Sequence, residues 1–222
     1  MDAHSVGGII HRGGTILKSS RCNKIKTSIG LKQAMLSIKK SEINFLIAIG
    51  GDGSIKAASK ICKLGIPVIG IPASIDNDVF GTDETIGFDT AIDTAISAID
   101  KIRDTAASFD RIFIVEVMGR EHGFLALEIA LAAGAEFVFL PEIKNDIKGL
   151  CNGLKRARQH GKSSIIIIFA EGCGDSQKIA QQINQITGFQ TRVSSLGYIQ
   201  RGGSPGARSR NLATKFGSYA ID

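Results

Sequence analysis

Two carboxylates, Asp76 and Asp78, follow closely after an apolar run that ends at Ile71. An apolar strand that gives way to Ser, Asp, Asn and Asp is how α/β enzymes place polar side chains at the carboxyl end of a sheet. Asn77 and the nearby Gly81 favour a loop over a continued strand. In a loop, one carboxylate can take a proton from an alcohol while the other stays ionised beside a metal ion or an arginine. The alternative is a turn in which these side chains only cap nearby backbone groups.

A glycine-rich turn, Gly50–Ser54, lies between an apolar run and a helical pattern. Glycines let backbone N–H groups approach phosphate oxygens closely, and the amino end of a helix adds positive potential. Asp52 within this turn is placed to reach a phosphate-bound Mg²⁺, which takes one or two carboxylates together with phosphates. The turn is therefore a candidate nucleotide site. A tight strand-to-helix turn capped by Asp52 would have the same sequence.

Four arginines stand beside strand ends or glycine-rich turns: Arg111, Arg120, Arg192 and Arg201. The planar guanidinium of arginine can donate two hydrogen bonds to one phosphate. Each alone would more often form a surface ion pair, but together they indicate a phosphorylated substrate. Glu171, which ends another apolar run, could accept a hydrogen bond from a sugar hydroxyl or cap the segment that follows.

The composition indicates a globular protein that acts on small molecules. The 222 residues include 27 Lys and Arg against 21 Asp and Glu, a net charge of +6, with 6% aromatic residues and no Trp. Few rings are therefore present to stack on bases, so we predict phosphorylated small molecules rather than nucleic acid as partners. The four cysteines form no C-x-x-C pair, and no apolar run approaches the roughly 20 residues of a membrane helix. With no secretory signal at the amino terminus, these features predict free thiols, no membrane partner and a cytoplasmic location.

The order of the elements predicts an α/β protein with mostly parallel strands. Short apolar runs alternate with amphipathic helical patterns, after a loop-rich and basic segment that ends near Lys26. A closing helix is expected to have Pro205 in its first turn and to reach the end of the chain. The predicted strands cover residues 45–49, 67–71, 111–118, 137–140, 164–170 and 191–196.

Six short motifs, taken together and in this order, resemble those of the phosphofructokinase family and span nearly the whole chain. They are Gly13–Thr15 with Ser20 and Arg21, Ile49–Ser54, Ile75–Asp78 with Gly81–Asp83, Val115–Arg120, Gly134–Glu136 with Pro141 and Glu142, and Ile199–Pro205. NAD kinases and lipid kinases share a Gly-Gly-Asp-Gly turn but lack the Ile-Asp-Asn-Asp and Gln-Arg-Gly-Gly-Ser-Pro segments. The resemblance implies two mostly parallel α/β lobes with the active site between them. Residues 1–87 and 200–222 would form a partial nucleotide-binding lobe, and residues 88–199 the sugar-phosphate lobe.

The resemblance also implies transfer of the γ-phosphoryl group of ATP to the 1-hydroxyl of fructose 6-phosphate, which gives fructose 1,6-bisphosphate in glycolysis. Asp76 matches the general base, Asp78, Ser74 and Arg120 match the residues that assist it, and Asp52 matches the Mg²⁺ site. The residues that match the nucleotide site are Arg21, Cys22, Gly51, Asp52, Gly53 and Ser54. The residues that match sugar-phosphate contacts in one subunit are Ser74, Ile75, Asp76, Met118, Gly119, Arg120, Glu171, Tyr198 and Arg201.

Arg111 and Arg192 match a pair that reaches the sugar phosphate from a neighbouring subunit, so the resemblance implies a homo-oligomer, specifically a homotetramer. The sheet of the first lobe would lack a strand that the family has. Apolar sheet surface should then be uncovered, which also favours association or low stability.

Departures from the family pattern leave other functions open. An amino-terminal Gly-Gly-Asp phosphate loop and the last helices have no counterpart, so the chain resembles the middle of a phosphofructokinase. Ser74 stands where the family usually has Thr, and Tyr198 where a His contacts the sugar phosphate. Gly53 favours ATP as the phosphoryl donor, whereas His122–Phe124 favours pyrophosphate. Ala73 replaces a residue that helps to distinguish ATP-dependent from pyrophosphate-dependent relatives. The alternatives are a pyrophosphate-dependent relative, a non-catalytic sugar-phosphate-binding or regulatory subunit, and a fragment of a longer gene product.

Overall fold

The computed structural model describes Asp2 and residues 4–222, which divide into two compact units. The first unit contains the described residues up to Ser74 with Asp78–Gly87 and Ser204–Asp222, and the second contains Ile75–Asn77 and Phe88–Gly203. In chain order the helices and strands are α1 (Ser28–Lys40), β1 (Leu46–Gly50), α2 (Asp52–Lys63), β2 (Val68–Pro72), α3 (Phe88–Ser108), β3 (Ile112–Val117), α4 (Phe124–Ala132), β4 (Phe137–Phe139), α5 (Ile147–Gln159), β5 (Ile165–Ala170), α6 (Ser176–Thr187), β6 (Thr191–Ser195) and α7 (Ala207–Tyr219). Short 3-10 helices cover Asn23–Lys26, Glu171–Cys173 and Gly197–Arg201.

Two short segments of the second unit lie next to segments of the first unit in the sequence. Residues 75–77 and 200–203 belong to the second unit. Asp76 forms an ion pair with Arg120 of that unit, and Gln200 bonds to the loop that follows β3. These two contacts tie both segments to the second unit.

The first unit is built on β1 and β2, which pair in parallel with Leu46 opposite Val68 and Gly50 opposite Pro72. Helix α2 connects the two strands, as in other β-α-β units. Met35, Ile61 and Ile66 form a small buried core, against which Leu46 and Val68 pack. This core covers one face of the two-stranded sheet.

The other face of this sheet is open. Side chains at positions i and i+2 of a strand share a face, and Phe45, Ile47 and Ile49 are 61%, 39% and 53% exposed. Ile69 of β2 is 43% exposed. Parallel sheets are ordinarily covered on both faces. The prediction of uncovered apolar sheet surface is therefore confirmed for this unit.

The second unit holds a four-stranded parallel sheet in the order β4–β5–β3–β6. Every residue of β5 is buried, which requires cover on both faces of the sheet. Ile166 and Ile168 pack with α3 and α4 on one face, and Ile165 and Ile167 pack with α5 and α6 on the other. Because the strands are parallel, the loops after β3, β5 and β6 emerge at the same edge.

The predicted α/β class is confirmed, and each predicted strand is present with its ends displaced by no more than one residue. The prediction for the closing helix is wrong at both ends. Helix α7 begins at Ala207 after the N-cap Gly206 and ends at Tyr219. Pro205 precedes the helix, where its carbonyl oxygen accepts a hydrogen bond from Nε of Arg210 at 2.7 Å.

Two expectations drawn from composition concern membranes and thiols. Over Asp2 and residues 4–222, no helix combines the length and the apolar content needed to cross a membrane. Cys22, Cys62, Cys151 and Cys173 all carry free thiols, as predicted.

We expect the four thiols to react in two classes. Cys22 and Cys62 are exposed, whereas Cys151 is buried and Cys173 is partly buried. Burial raises the pKa of the Cys151 and Cys173 thiols, and the thiolate is the reactive form. Ellman's reagent at neutral pH should therefore modify Cys22 and Cys62 first, and Cys151 only after denaturant is added. Cys22→Ser and Cys62→Ser variants are the controls, and rapid reaction of all four thiols in the native protein would contradict the expectation.

Candidate active site

Asp76 is the central carboxylate of the candidate site and is 4% exposed. Its Oδ2 lies 3.1 Å from Nε of Arg120, and both residues belong to the second unit. A buried carboxylate is costly unless it is paired, and Arg120 provides a partner. The Arg120 side chain is itself 62% exposed. Its guanidinium can therefore stabilise the Asp76 carboxylate and still face a ligand.

Asn77 turns the backbone between the two aspartates. Its φ is +53°, in the left-handed region that Asn tolerates better than most residues. The segment is not a strand, so the predicted loop is confirmed. Asp78 belongs to the first unit, and its Oδ1 is buried without a hydrogen-bond partner in the described part of the chain.

Side chains from both neighbouring strands hold the loop that follows β3. Glu171, directly after β5, accepts the amides of Gly119 and Arg120 with Oε1 at 3.2 and 2.8 Å. Gln200, in the 3-10 helix after β6, accepts the Met118 amide with Oε1 at 2.9 Å. Three successive N–H groups are thus bonded to side chains, which fixes the position from which Arg120 extends.

The backbone of the same loop is strained and closely packed. Arg120 has a φ of +54°, a conformation that costs of order 1–3 kcal/mol for a residue other than glycine. A Cβ added to Gly172 would overlap the carbonyl oxygen of Arg120. The loop therefore rests directly on the backbone that follows β5, and its conformation is set by its surroundings.

Arg201 and Tyr198 form a stacked pair in the 3-10 helix after β6. The guanidinium carbon of Arg201 lies 4.8 Å from the centre of the Tyr198 ring, and Tyr198 is 78% exposed. A guanidinium over an aromatic face is held by electrostatic attraction to the ring. The Tyr198 ring thus favours this orientation of the Arg201 guanidinium.

Arg111 and Arg192 lie at the opposite end of the second sheet. Arg111 precedes β3, and Arg192 pairs with Phe113 near the start of that strand, whereas Arg120 follows its end. At about 3.3 Å per residue, roughly 15 Å of sheet separates Arg192 from the loop after β3, and roughly 20 Å separates Arg111 from it. Nε of Arg111 donates to Oε1 of Gln190 at 2.6 Å. The structure therefore does not bring this pair to the Arg120 loop of the same chain.

In the first unit, the Gly50–Ser54 turn leads from β1 into α2. Gly51 is the N-cap and no side chain caps the helix, so the interpretation of Asp52 as a cap is wrong. Oδ2 of Asp52 instead lies 2.7 Å from Nζ of Lys56. The hydrogen bond and the charge of Asp52, with a smaller contribution from the charge of Asp78, raise the pKa of Lys56. Asp52 and Asp78 thus act on the same ammonium group.

Ser74 packs against this turn. A Cβ on Gly51 would lie 3.3 Å from Oγ of Ser74, and one on Gly50 would lie 2.6 Å from Oγ of Ser54. A side chain at Gly50 would therefore displace Ser54, whereas one at Gly51 would make a tight contact with Ser74. A Cβ on Gly53 would meet no atom within 4 Å, so the turn has an open side at the amino end of α2.

Arg21 and Cys22, the remaining predicted nucleotide-site residues, are exposed. Cys22 precedes the first 3-10 helix and its side chain does not cap it. Within residues 4–222, neither residue forms a hydrogen bond or ion pair with the glycine-rich turn. Ile75, predicted to contact the sugar phosphate, is partly buried and packs against the core of the second unit.

Sequence reasoning missed two residues of these clusters. Lys56 stands four positions after Asp52 on a helix, a spacing at which opposite charges meet, so its pairing could have been found. Gln200 lies between Ile199 and Arg201, and no sequence pattern indicates that its side chain accepts a hydrogen bond from the Met118 amide. Glu171 was predicted to accept a hydrogen bond from a sugar hydroxyl or to cap the next segment. Neither role includes the hydrogen bonds that it accepts from the Gly119 and Arg120 amides.

Comparison with known proteins agrees with these motifs. The family described as Phosphofructokinase matches residues 1–222. The chain is 50% identical to the ATP-dependent 6-phosphofructokinase of Halalkalibacterium halodurans and 49% identical to that of Bacillus subtilis, over 100% of this chain and 70% of each relative. The crystal structure of Pichia pastoris phosphofructokinase superposes with a TM-score of 0.90 at 34% identity, over 100% of this chain and 26% of that chain. The chain thus spans about a quarter of the Pichia protein, and it belongs to the phosphofructokinase family.

Proposed function

We propose that this chain transfers the γ-phosphoryl group of ATP to the 1-hydroxyl of fructose 6-phosphate. The observation that carries the proposal is the buried Asp76 carboxylate paired with the exposed guanidinium of Arg120. A carboxylate that is fixed by an arginine can accept a proton while the arginine meets the charge of the phosphoryl group. The names of the bacterial relatives at about half identity support ATP as the donor.

In the proposed reaction, the sugar 1-hydroxyl oxygen attacks the γ-phosphorus as the bond from that phosphorus to the leaving oxygen of ADP breaks. The hydroxyl proton passes to Oδ of Asp76. Arg120 stabilises the negative charge on the transferred group, and the hydrogen bonds that the loop donates to Glu171 and Gln200 keep the guanidinium at that position. Phosphoryl transfer needs mainly positioning and charge neutralisation, so the chain requires no covalent nucleophile.

Asp52 and Asp78 are the residues that would hold Mg²⁺. No cluster of three or more His, Cys, Asp or Glu side chains suited to a metal occurs in the described residues, but Mg²⁺ bound with nucleotide takes only one or two carboxylates beside the phosphates. The buried Oδ1 of Asp78, which has no hydrogen-bond partner in residues 4–222, fits such a cation. The bound ion would supply charge neutralisation on the phosphates, and the Gly50–Ser54 turn would supply backbone N–H donors.

For the sugar phosphate, Arg201 and Glu171 provide complementary groups. Arg201 is exposed and oriented by Tyr198, so its planar guanidinium can bind the 6-phosphate with two hydrogen bonds. Oε1 of Glu171 is used by the Gly119 and Arg120 amides, which leaves Oε2 to accept from a sugar hydroxyl. Met118 and Gly119 would line the same substrate.

The proposed activity is tested by assaying the purified chain with Mg-ATP and fructose 6-phosphate, with product coupled to aldolase and NADH oxidation. We expect turnover well above that of Asp76→Ala, and faster turnover with ATP than with pyrophosphate. Turnover no higher than that of the variant would contradict the proposal. Calorimetry separates the alternative, because a regulatory subunit would bind fructose 6-phosphate without binding Mg-ATP.

We infer further that the chain forms a homo-oligomer in which Arg111 and Arg192 serve the site of a neighbouring copy. Their position, roughly 15 to 20 Å along the sheet from the Arg120 loop, leaves them without a role in their own site. Arg192→Ala should raise KM for fructose 6-phosphate at least about tenfold, because a hydrogen bond between charged groups is lost.

The same inference predicts complementation between chains. When Arg192→Ala and Asp76→Asn chains with different tags are co-expressed, doubly tagged oligomers should be more active than either variant alone. In such hybrids one site receives Asp76 from one chain and Arg192 from the other. Native mass spectrometry gives the oligomer size, and hybrids without added activity would contradict the shared site.

A small substitution next to the Arg120 loop should also reduce activity. Gly172→Ala places a methyl group against the carbonyl oxygen of Arg120, and backbone must move to relieve the overlap. A shift of about 1 Å in a positioning group can lower turnover about a hundredfold, so we expect kcat to fall between ten- and a hundredfold. Gly217→Ala is the matched control because a Cβ there meets nothing within 4 Å. Equal kcat in both variants would show that the loop tolerates displacement.

A further inference from the structure

Gln200 is buried between two exposed neighbours in the 3-10 helix after β6. Its side chain is 1% exposed, whereas Ile199 and Arg201 on either side are exposed. A buried amide must satisfy its hydrogen-bonding groups to avoid a large desolvation cost. Gln200 satisfies its oxygen with the Met118 amide, which lies 82 positions earlier in the chain.

With the hydrogen bond to Gln200, the loop after β3 is bonded to side chains that follow both neighbouring strands. Strand β3 lies between β5 and β6 in the sheet. Glu171, after β5, accepts the amides of Gly119 and Arg120, and Gln200, after β6, accepts that of Met118. Both of these carboxylate bonds use the same oxygen, Oε1 of Glu171, so Gln200 is the separate anchor at the start of the loop.

Only the oxygen of the Gln200 side chain takes part. Its Nε2 is buried and has no hydrogen-bond partner within residues 4–222, so the bond to Met118 does not depend on the NH₂ group. Burial favours the neutral form of a glutamic acid at this position, and that form presents the same carbonyl acceptor. A methionine has a similar length and no acceptor of comparable strength. These two substitutions therefore separate the hydrogen bond from the volume of the side chain.

We propose that Gln200 is a positioning residue for phosphoryl transfer, which acts by fixing the Met118 amide and thereby the reach of Arg120 to Asp76. The proposal rests on the proposed function of the Asp76 site. Gln200 does not touch the reacting atoms. Its effect passes through two residues of backbone to the guanidinium that pairs with the buried carboxylate.

The test compares Gln200→Met and Gln200→Glu in kinetics and in hydrogen–deuterium exchange. In Gln200→Met we expect kcat to fall between about ten- and a hundredfold, as for a shift of about 1 Å in a positioning group, with KM for Mg-ATP unchanged within about twofold. Gln200→Glu should recover most of the loss. The peptide that contains Met118–Arg120 should exchange faster in Gln200→Met, while a peptide from β5 keeps the exchange rate of the unsubstituted chain.

Two kinds of result would overturn the proposal, and a third would overturn only the proposed function. A fall in kcat that Gln200→Glu does not relieve, or loss of protection throughout β5, would indicate a general structural role and overturn the proposal. Unchanged kcat and unchanged exchange of the Met118–Arg120 peptide would overturn it as well. If the unsubstituted chain shows no turnover, the proposed function fails, and faster exchange confined to that peptide would still establish that Gln200 positions the loop.

Discussion

Asp76→Asn should lower kcat by roughly 10²- to 10⁴-fold, which is the range for loss of a general base. The amide has nearly the same shape as the carboxylate and can still accept a hydrogen bond from Nε of Arg120, 3.1 Å away. It cannot take up the proton of a sugar hydroxyl. The chemical step should therefore suffer while substrate binding and folding are largely kept, and steady-state kinetics with varied fructose 6-phosphate measures the two effects separately.

The matched control is Asp93→Asn, which makes the same change at an exposed position of α3 in the same unit. We expect its kcat to equal that of the unsubstituted chain. A kcat for Asp76→Asn within about tenfold of normal would show that another group accepts the proton. Such a result would also show that Arg120 does not need a charged partner at position 76 for turnover.

The strands could be predicted because each carries its signal locally. Strand β5 is a continuous apolar run that is buried on both faces of a parallel sheet, a pattern that exposed or one-sided segments do not produce. The start of α7 could not be predicted in the same way. Proline has one φ that suits both a first helical turn and a preceding loop, and the bond from Arg210 to the Pro205 carbonyl favours the loop.

The candidate site was predictable in its residues but not in its connections. Arg120 and Glu171 follow the ends of β3 and β5, and parallel strands of one sheet bring such ends to one edge. Asp76 follows a strand of the other sheet, so its pairing with Arg120 could not be derived in this way. Which side chain accepts which amide depends on the register of β3 with β5 and β6, and that register follows from packing of the whole sheet. The strand register also places Arg192 at the other end of the sheet from the Arg120 loop, because Arg192 pairs with Phe113.

Phe169→Ala should destabilise the second unit by about 3–5 kcal/mol, which is typical for removal of a buried phenyl ring. Phe169 is 0% exposed on β5, and its ring centre lies 5.3 Å from that of Phe139 on the neighbouring strand. The cavity left behind lies between β5 and helices α5 and α6, which cannot close around it without breaking other contacts. Because the chain has no Trp, urea unfolding is followed by far-ultraviolet circular dichroism.

Phe80→Ala is the control for this prediction, because Phe80 is 100% exposed and its loss should change stability by less than about 0.5 kcal/mol. Equal unfolding midpoints for the two variants would contradict the packing of β5. Glu171 stands two residues after Phe169 and holds the Arg120 loop, so a less stable β5 also loosens that loop. We therefore expect Phe169→Ala to lose activity at urea concentrations below those that unfold the sheet, whereas Phe80→Ala should lose activity only as the sheet unfolds.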